Sequence, residues 1–218
     1  MKRLSFLFFL GTAMLTVNAV AAGDEKPQLM SRTGGGASNT WESPAALQKD
    51  AEAGKPAALA AFGEMLLSGD QVTKDVPRGI SMLERAAKEG QASAAFRLGK
   101  VYDDGELTQR DAPKALDYYR QAALAGVSEA QYNLGTLYIN ARGGVKRDLK
   151  EGLAWLIVAT KHGADGEGEK QIRDRLKNGS RAQIIPAAEA RAAEIEAQLA
   201  QNPTPPAPAS PSTPAAKK

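Results

Sequence analysis

Along the middle of the chain the apolar positions follow a helical rhythm, and the whole pattern then returns at a fixed distance. Phe62-Gly63-Glu64-Met65-Leu66 comes back as Leu98-Gly99-Lys100-Val101-Tyr102 and again as Leu134-Gly135-Thr136-Leu137-Tyr138, a period of 36 residues. Each copy reaches a Gly-rich break at Gly69, Gly105 or Gly143-Gly144. A basic-acidic pair follows (Lys74-Asp75, Arg110-Asp111, Arg147-Asp148), then a second apolar stretch closing on Gly90, Gly126 or Gly163. The third copy is one residue longer, and the extra residue falls in the Gly143-Gly144 turn, where an insertion is expected to disturb no packing. Self-similarity at such a period marks a helical repeat array. The periodicity predicts helices over 56–68, 76–89, 92–103, 112–125, 128–140 and 149–162. Pro56, Pro77 and Pro113 fall at or near helix starts, where a missing N–H does no harm.

Glycine inside a helix costs about 1 kcal/mol relative to alanine. Here it stands at one place in three successive amphipathic stretches, so a neighbouring helix is expected to come too close for a side chain. Ala86-Ala87 and Ala122-Ala123 fit the same close approach. At 100° per residue Ala95, Leu98, Gly99 and Tyr102 share a face, as do Gln131, Leu134, Gly135 and Tyr138; these faces should meet the partner helix. Gln121, on a second helix, reads as outer surface.

These residues resemble the Sel1-like repeats, a branch of the tetratricopeptide-type solenoids. The third copy carries the likeness best, in Ala130-Gln131-Tyr132-Asn133-Leu134-Gly135-Thr136-Leu137-Tyr138, Gly144-Val145, Asp148 and Trp155. The second follows with Ala94, Leu98-Gly99, Tyr102, Gly105, Asp111, Lys114-Ala115 and Ala122-Ala123. The first departs, with Leu66 in place of the tyrosine and Pro77-Arg78-Gly79 in place of Lys-Ala. The resemblance implies an all-α, right-handed superhelical solenoid of helix-turn-helix repeats with a C-terminal capping helix. It specifies a fold and leaves the function open.

The flanks divide as follows. Residues 1–22, with Lys2-Arg3 before an apolar run from Leu4 to Val17 and the small residues Ala19-Val20-Ala21, have the pattern of a secretory signal peptide. The run is short of the ~20 residues that span a bilayer. No cysteine follows it, which excludes a lipid-anchored lipoprotein. Residues 23–40 read as a flexible linker whose Gly34-Gly35-Gly36 lacks the context of a phosphate loop. The solenoid is expected over 41–200: a partial repeat at 41–54 capping the first pair, repeats at 55–90, 91–126 and 127–163, and a cap at 164–200. In the cap, Ser180-x-x-Gln183 should open a helix as a capping box and Pro186 should bend its first turns. Ile184, Ala188, Ala192, Ile195 and Leu199 form its apolar stripe, with Glu189, Arg191, Glu194 and Glu196 outside. Residues 201–218 form a Pro/Ala-rich tail expected to be disordered or polyproline-like.

The formal charge of +3 falls to +1 without Lys2 and Arg3, so a nucleic-acid partner is not indicated on charge or compartment. The signal pattern points to the periplasm or to secretion. The absence of cysteine excludes thiol chemistry and cysteine-ligated metal. It also sets the chain apart from exported Sel1-like proteins with a disulfide in each repeat, leaving stability to stacking. No cofactor or metal is expected: the acidic-glycine stretch Ala164–Glu169 lacks the order of an EF-hand loop. The one histidine, His162, stands in a last helical turn, where a basic residue suits the helix dipole. Adjacent Asp103 and Asp104 point about 100° apart and make no dyad. No hydrolase elbow or Ser-x-x-Lys set is present, and no catalytic residue is assigned.

In solenoids of this kind the first helices line the concave surface. Their other face carries Ala60, Glu64, Leu67 and Ser68 in copy one, Phe96, Lys100, Asp103 and Asp104 in copy two, and Tyr132, Thr136, Ile139 and Asn140 in copy three. The chemistry changes between copies while the packing positions do not, which suits a recognition groove. Glu64, Phe96, Lys100, Asp103, Asp104, Tyr132, Thr136 and Asn140 are the partner-binding candidates, although packing is as natural a role for Phe96 and Tyr132. The reading is a non-enzymatic periplasmic or secreted adaptor that holds a protein or peptide, with restraint of a membrane sensor, envelope assembly or host contact as roles the resemblance suggests. The alternatives are a β-lactam-binding or -hydrolysing relative and a polysaccharide-binding scaffold.

Overall fold

In the computed structural model, which describes residues 30–31 and 40–201, the six helices of the repeats start and stop within a residue of the positions that the periodicity predicts. They are α2 (Pro56–Ser68), α3 (Val76–Lys88), α4 (Ala92–Asp104), α5 (Ala112–Leu124), α6 (Ser128–Asn140) and α7 (Leu149–Lys161). Before them stands α1 (Pro44–Glu52), and after them α8 (Glu167–Leu176) and α9 (Ile184–Gln201). Two residue pairs, Met30–Ser31 (β1) and Thr40–Trp41 (β2), form a short antiparallel ladder that joins the stretch read as linker to the first residue of the solenoid. The signal segment, the remaining linker positions and residues 202–218 lie outside the described residues.

Each helix packs on its sequence neighbours from α1 to α7, the all-α order of a repeat solenoid. The shared acid of the basic-acidic pair explains why the second helices begin where they do. Asp75, Asp111 and Asp148 are their N-caps, accepting from the backbone N–H of Arg78, Lys114 and Glu151 at 3.1, 3.0 and 2.9 Å. Their own N–H groups donate back to Leu66, Tyr102 and Tyr138 carbonyls, so one residue type both closes the hairpin and starts the next helix.

The repeated glycines sit at the helix crossings as expected. A Cβ at Gly99 would lie 2.5 Å from the Tyr119 ring, and one at Gly135 would lie 2.8 Å from the Gly152 carbonyl. Gly63 is 3.0 Å by the same construction from the Gly79 carbonyl. The first and third crossings therefore use a glycine on both helices. In the second, Ala115 replaces the partner glycine and Tyr119 fills the gap.

Four expectations about turns are corrected. The extra residue of copy three does pack: a Cβ on Gly143 would lie 2.5 Å from that of Ala112. The break homologous to Gly69 and Gly105 is Ala141, which holds φ 52° as the C-cap of α6. In the cap, Ser180 lies in a 3-10 turn (Gly179–Arg181) and does not open α9, which starts at Ile184. Pro186 is the third residue of α9, within the turn whose N–H groups have no intrahelical acceptor, so it neither bends nor breaks the helix.

The apolar stripe of α9 is buried through Ala188, Ala192 and Ile195, and α9 rather than α8 makes the main contact with α7. Two of its four expected outer residues turn inward. Arg191 grips Glu151 of α7 with Nε and Nη2 at 2.9 and 3.2 Å, while Trp155 Nε1 donates to the same carboxylate at 3.1 Å. Glu196 lies 3.3 Å from His162 Nε2. Among the described residues no helix is long and apolar enough to cross a membrane.

Candidate functional site

The first helices α2, α4 and α6 carry the candidate face, and the structure divides its members into three groups. Ala60, Leu67 and Ile139 are buried and belong to the core. The variable positions nearest them cannot all be groove positions, because a helix packed on both neighbouring repeats has only a narrow free stripe.

The free stripe is best formed between α2 and α4. Arg97 of α4 reaches across the repeat boundary and donates from Nε to Glu64 Oε2 at 2.9 Å. Burial raises the Glu64 carboxyl above the usual carboxylate range, and the charges of Arg97 and Lys100 pull it only part of the way back. Beside this pair lies a cleft of about 180 Å³ with Leu67 and Val101 in its lining and Ser68, Lys74, Arg97 and Asp104 among its polar groups. Of the candidates, Asp104 lines the cleft, while Glu64 meets it through Arg97 and feels the charge of Lys100.

Asp103 is not part of that set. Its side chain is 12% exposed and accepts from Arg110 at 3.1 Å and from Arg142 at 3.4 Å, tying copy two to copy three. Phe96 is half-buried, its ring 6.0 Å from that of Tyr119. Tyr132 is also half-buried, and a Cβ on Gly168 of α8 would lie 2.8 Å from its ring. Thr136 is half-buried and spends its hydroxyl on the Asn133 carbonyl at 2.8 Å, while Asn140 is exposed at the end of α6. Asp103 therefore ties two repeats together, Phe96 packs inside its own repeat, and Tyr132 packs against the cap.

Arg97 and Lys74 are the site residues that reading the sequence missed. Arg97 stands 33 residues after Glu64, one helical turn before its repeat-mate Lys100. Opposite charges at one turn less than the repeat period face each other on successive first helices, and that offset was the available signal. Gln121 is also corrected: its Nε2 donates to the Ala87 carbonyl, so it bridges repeats and is not free outer surface. Nearby, Glu84 of α3 accepts from Tyr102 at 3.3 Å, and burial with the Glu84 charge pushes Tyr118 up to about 12.

Comparison with known proteins agrees with this architecture. The family model described as Sel1 repeat matches residues 56–91, 92–127 and 128–163. A solved Sel1 repeat protein from Oxalobacter formigenes is similar over 73% of this chain and 63% of its own, at 24% identity and a TM-score of 0.55. The protective antigen c5321 of uropathogenic Escherichia coli, which displays an SLR fold, is similar over 74% of this chain and 33% of its own. Its identity is 30% and the TM-score 0.57. The chain thus spans less than two thirds of either relative. No curated protein matches it.

Proposed function

The chain belongs to the Sel1 repeat family, and from that premise we propose that it is a non-enzymatic adaptor holding a protein or peptide segment against the free stripe of α2, α4 and α6. Sel1 repeats are in general protein-interaction scaffolds. One observation carries the reading for this chain. The crossing positions Gly63, Gly99 and Gly135 are fixed, while the next residue outward changes from Glu64 to Lys100 to Thr136. A constant frame presenting varied chemistry is what selective recognition requires.

The setting we propose is the periplasm or the outside of the cell, from the Lys2–Ala22 pattern, with restraint of a membrane sensor or of envelope assembly as the biological role. The polysaccharide alternative is not favoured, because Phe96 packs on Tyr119 and Tyr132 packs against α8. A photo-crosslinker placed at Lys100 or Thr136 in the native envelope tests the adaptor reading. It should capture a discrete partner well above a probe at Ser81, an exposed position of α3. Equal capture from all three sites would overturn it.

A further inference from the structure

The turn between the two helices of copy three differs in charge from its counterparts in a systematic way. Two residues past the helix end, Asp70 and Glu106 give way to Arg142; two residues before the N-cap, Thr73 and Gln109 give way to Lys146. Two residues after it, Pro77 and Pro113 give way to Lys150, while Lys74, Arg110 and Arg147 are basic in every copy. These positions together with the N-cap hold four cations and one carboxylate in copy three, against one cation and two carboxylates in each of the others. The carboxylate, Asp148, is engaged with the Glu151 N–H at 2.9 Å.

All four cations are exposed, and among the described residues only Arg142 has a carboxylate partner, Asp103 at 3.4 Å. The backbone beneath them is fixed. Val145 is buried and donates to the Arg142 carbonyl at 3.2 Å, and Asp148 N–H donates to Tyr138 at 3.1 Å. The turn also continues α6 directly beyond Thr136 and Asn140, on the proposed binding stripe.

Resting on the adaptor reading, we infer that the segment held by this protein is acidic, and that Arg142, Lys146, Arg147 and Lys150 receive its carboxylates where it leaves the stripe at α6. Complementary charge at such a rim gives orientation and a faster encounter. A phospholipid surface fits less well. The same edge carries Asp70, Asp104 and Glu106 on the neighbouring copies, which a flat anionic bilayer would also have to approach, whereas the end of a narrow segment leaving the stripe at α6 meets only the turn of copy three.

The test uses a labelled oligoglutamate peptide, the processed chain and fluorescence anisotropy. Binding is expected at low salt, weakening as salt rises, and the triple variant K146E/R147E/K150E should weaken it at least about tenfold. A charge-matched control, K49E/K88E/K161E, places the same change at exposed lysines elsewhere and should leave affinity within about twofold. K146Q/R147Q/K150Q supplies a milder second variant should the reversed one unfold. Equal losses in both sets, no binding of the peptide, or binding only to phosphatidylglycerol vesicles would each overturn the inference. Crosslinking at Lys100 reads the adaptor proposal independently, so a partner captured there without dependence on Lys146, Arg147 and Lys150 would overturn the acidic-segment inference alone.

Discussion

At the scale of single residues, the sharpest consequences come from places with no room or no partner. Replacing Gly99 or Gly135 by valine pushes side-chain carbon into the Tyr119 ring or the Gly152 carbonyl, and overpacking of this kind costs about 1–3 kcal/mol. Urea melts should show that loss; unchanged midpoints would mean the crossings are looser than the structure has them. Gln131 makes the opposite case. It is fully buried, its Nε2 donates to the Ala123 carbonyl at 3.1 Å, and its Oε1 has no hydrogen-bond partner among the described residues. The Ala123 carbonyl keeps a second donor in Gly126 N–H, so Gln131→Leu should be neutral or stabilise by about 1 kcal/mol. A clear loss of stability would show that the amide is satisfied after all. Glu64 adds a pH dependence. Its raised carboxyl keeps its proton in the folded chain to a higher pH than in the unfolded one. That contribution is complete below the ordinary glutamate range and is lost as pH rises through the raised value. Glu64→Gln should therefore gain on the parent as pH climbs through that window, and a parent–variant difference that stays constant from about pH 4 to 8 would contradict it. The glycines were legible in the sequence because they offend helix propensity three times over. Gln131 was legible only as a position on the packing face, since burial of one amide leaves no periodic mark.

At the scale of elements, the helix limits were readable because each boundary is written in local chemistry: proline near the start, a left-handed residue at the end, an aspartate before the second helix. The function of that aspartate emerges from the structure, where it serves as cap and hairpin closure together. Asp111→Ala removes the acceptor for Lys114 N–H at 3.0 Å and should cost about 1 kcal/mol, within the usual spread for N-caps. Asp111→Asn should restore most of it. If alanine and asparagine unfold at the same urea concentration, the cap contributes nothing. The misread features were those that depend on a neighbouring element. The Gly143-Gly144 turn was expected to lie free, and it meets Ala112 of the preceding copy. Arg191 was expected in solvent because α9 was read as one amphipathic helix, but a long side chain at the edge of its stripe can turn back to a carboxylate on α7. The proposed binding stripe was read from Glu64, Lys100 and Asp104, which need only one helix to place them. It was not legible at Arg97, whose role depends on the side-by-side register of two helices.

At the scale of the whole molecule, a cysteine-free solenoid has no long-range covalent tie, so each repeat is stabilised by the ones beside it and the ends decide how unfolding begins. At the C-terminal end α9 covers α7 with three buried residues, Ala188, Ala192 and Ile195, two of them only methyl groups. Charge has to supply the specificity of that docking, which is why the largely covered Arg191 and Glu151 are held in a two-point contact and Trp155 shares it. Among the described residues, Arg191→Ala leaves Glu151 with the indole as its remaining side-chain partner, its side chain only 17% exposed. Hydrogen exchange followed by mass spectrometry should then find α9 amides opening sooner in the variant, while α2 to α4 keep parental protection. Local opening confined to the altered end is the behaviour of a nearest-neighbour array. Faster exchange spread evenly from α2 to α9 would instead make the chain a single cooperative block, and the cap a part of its global core.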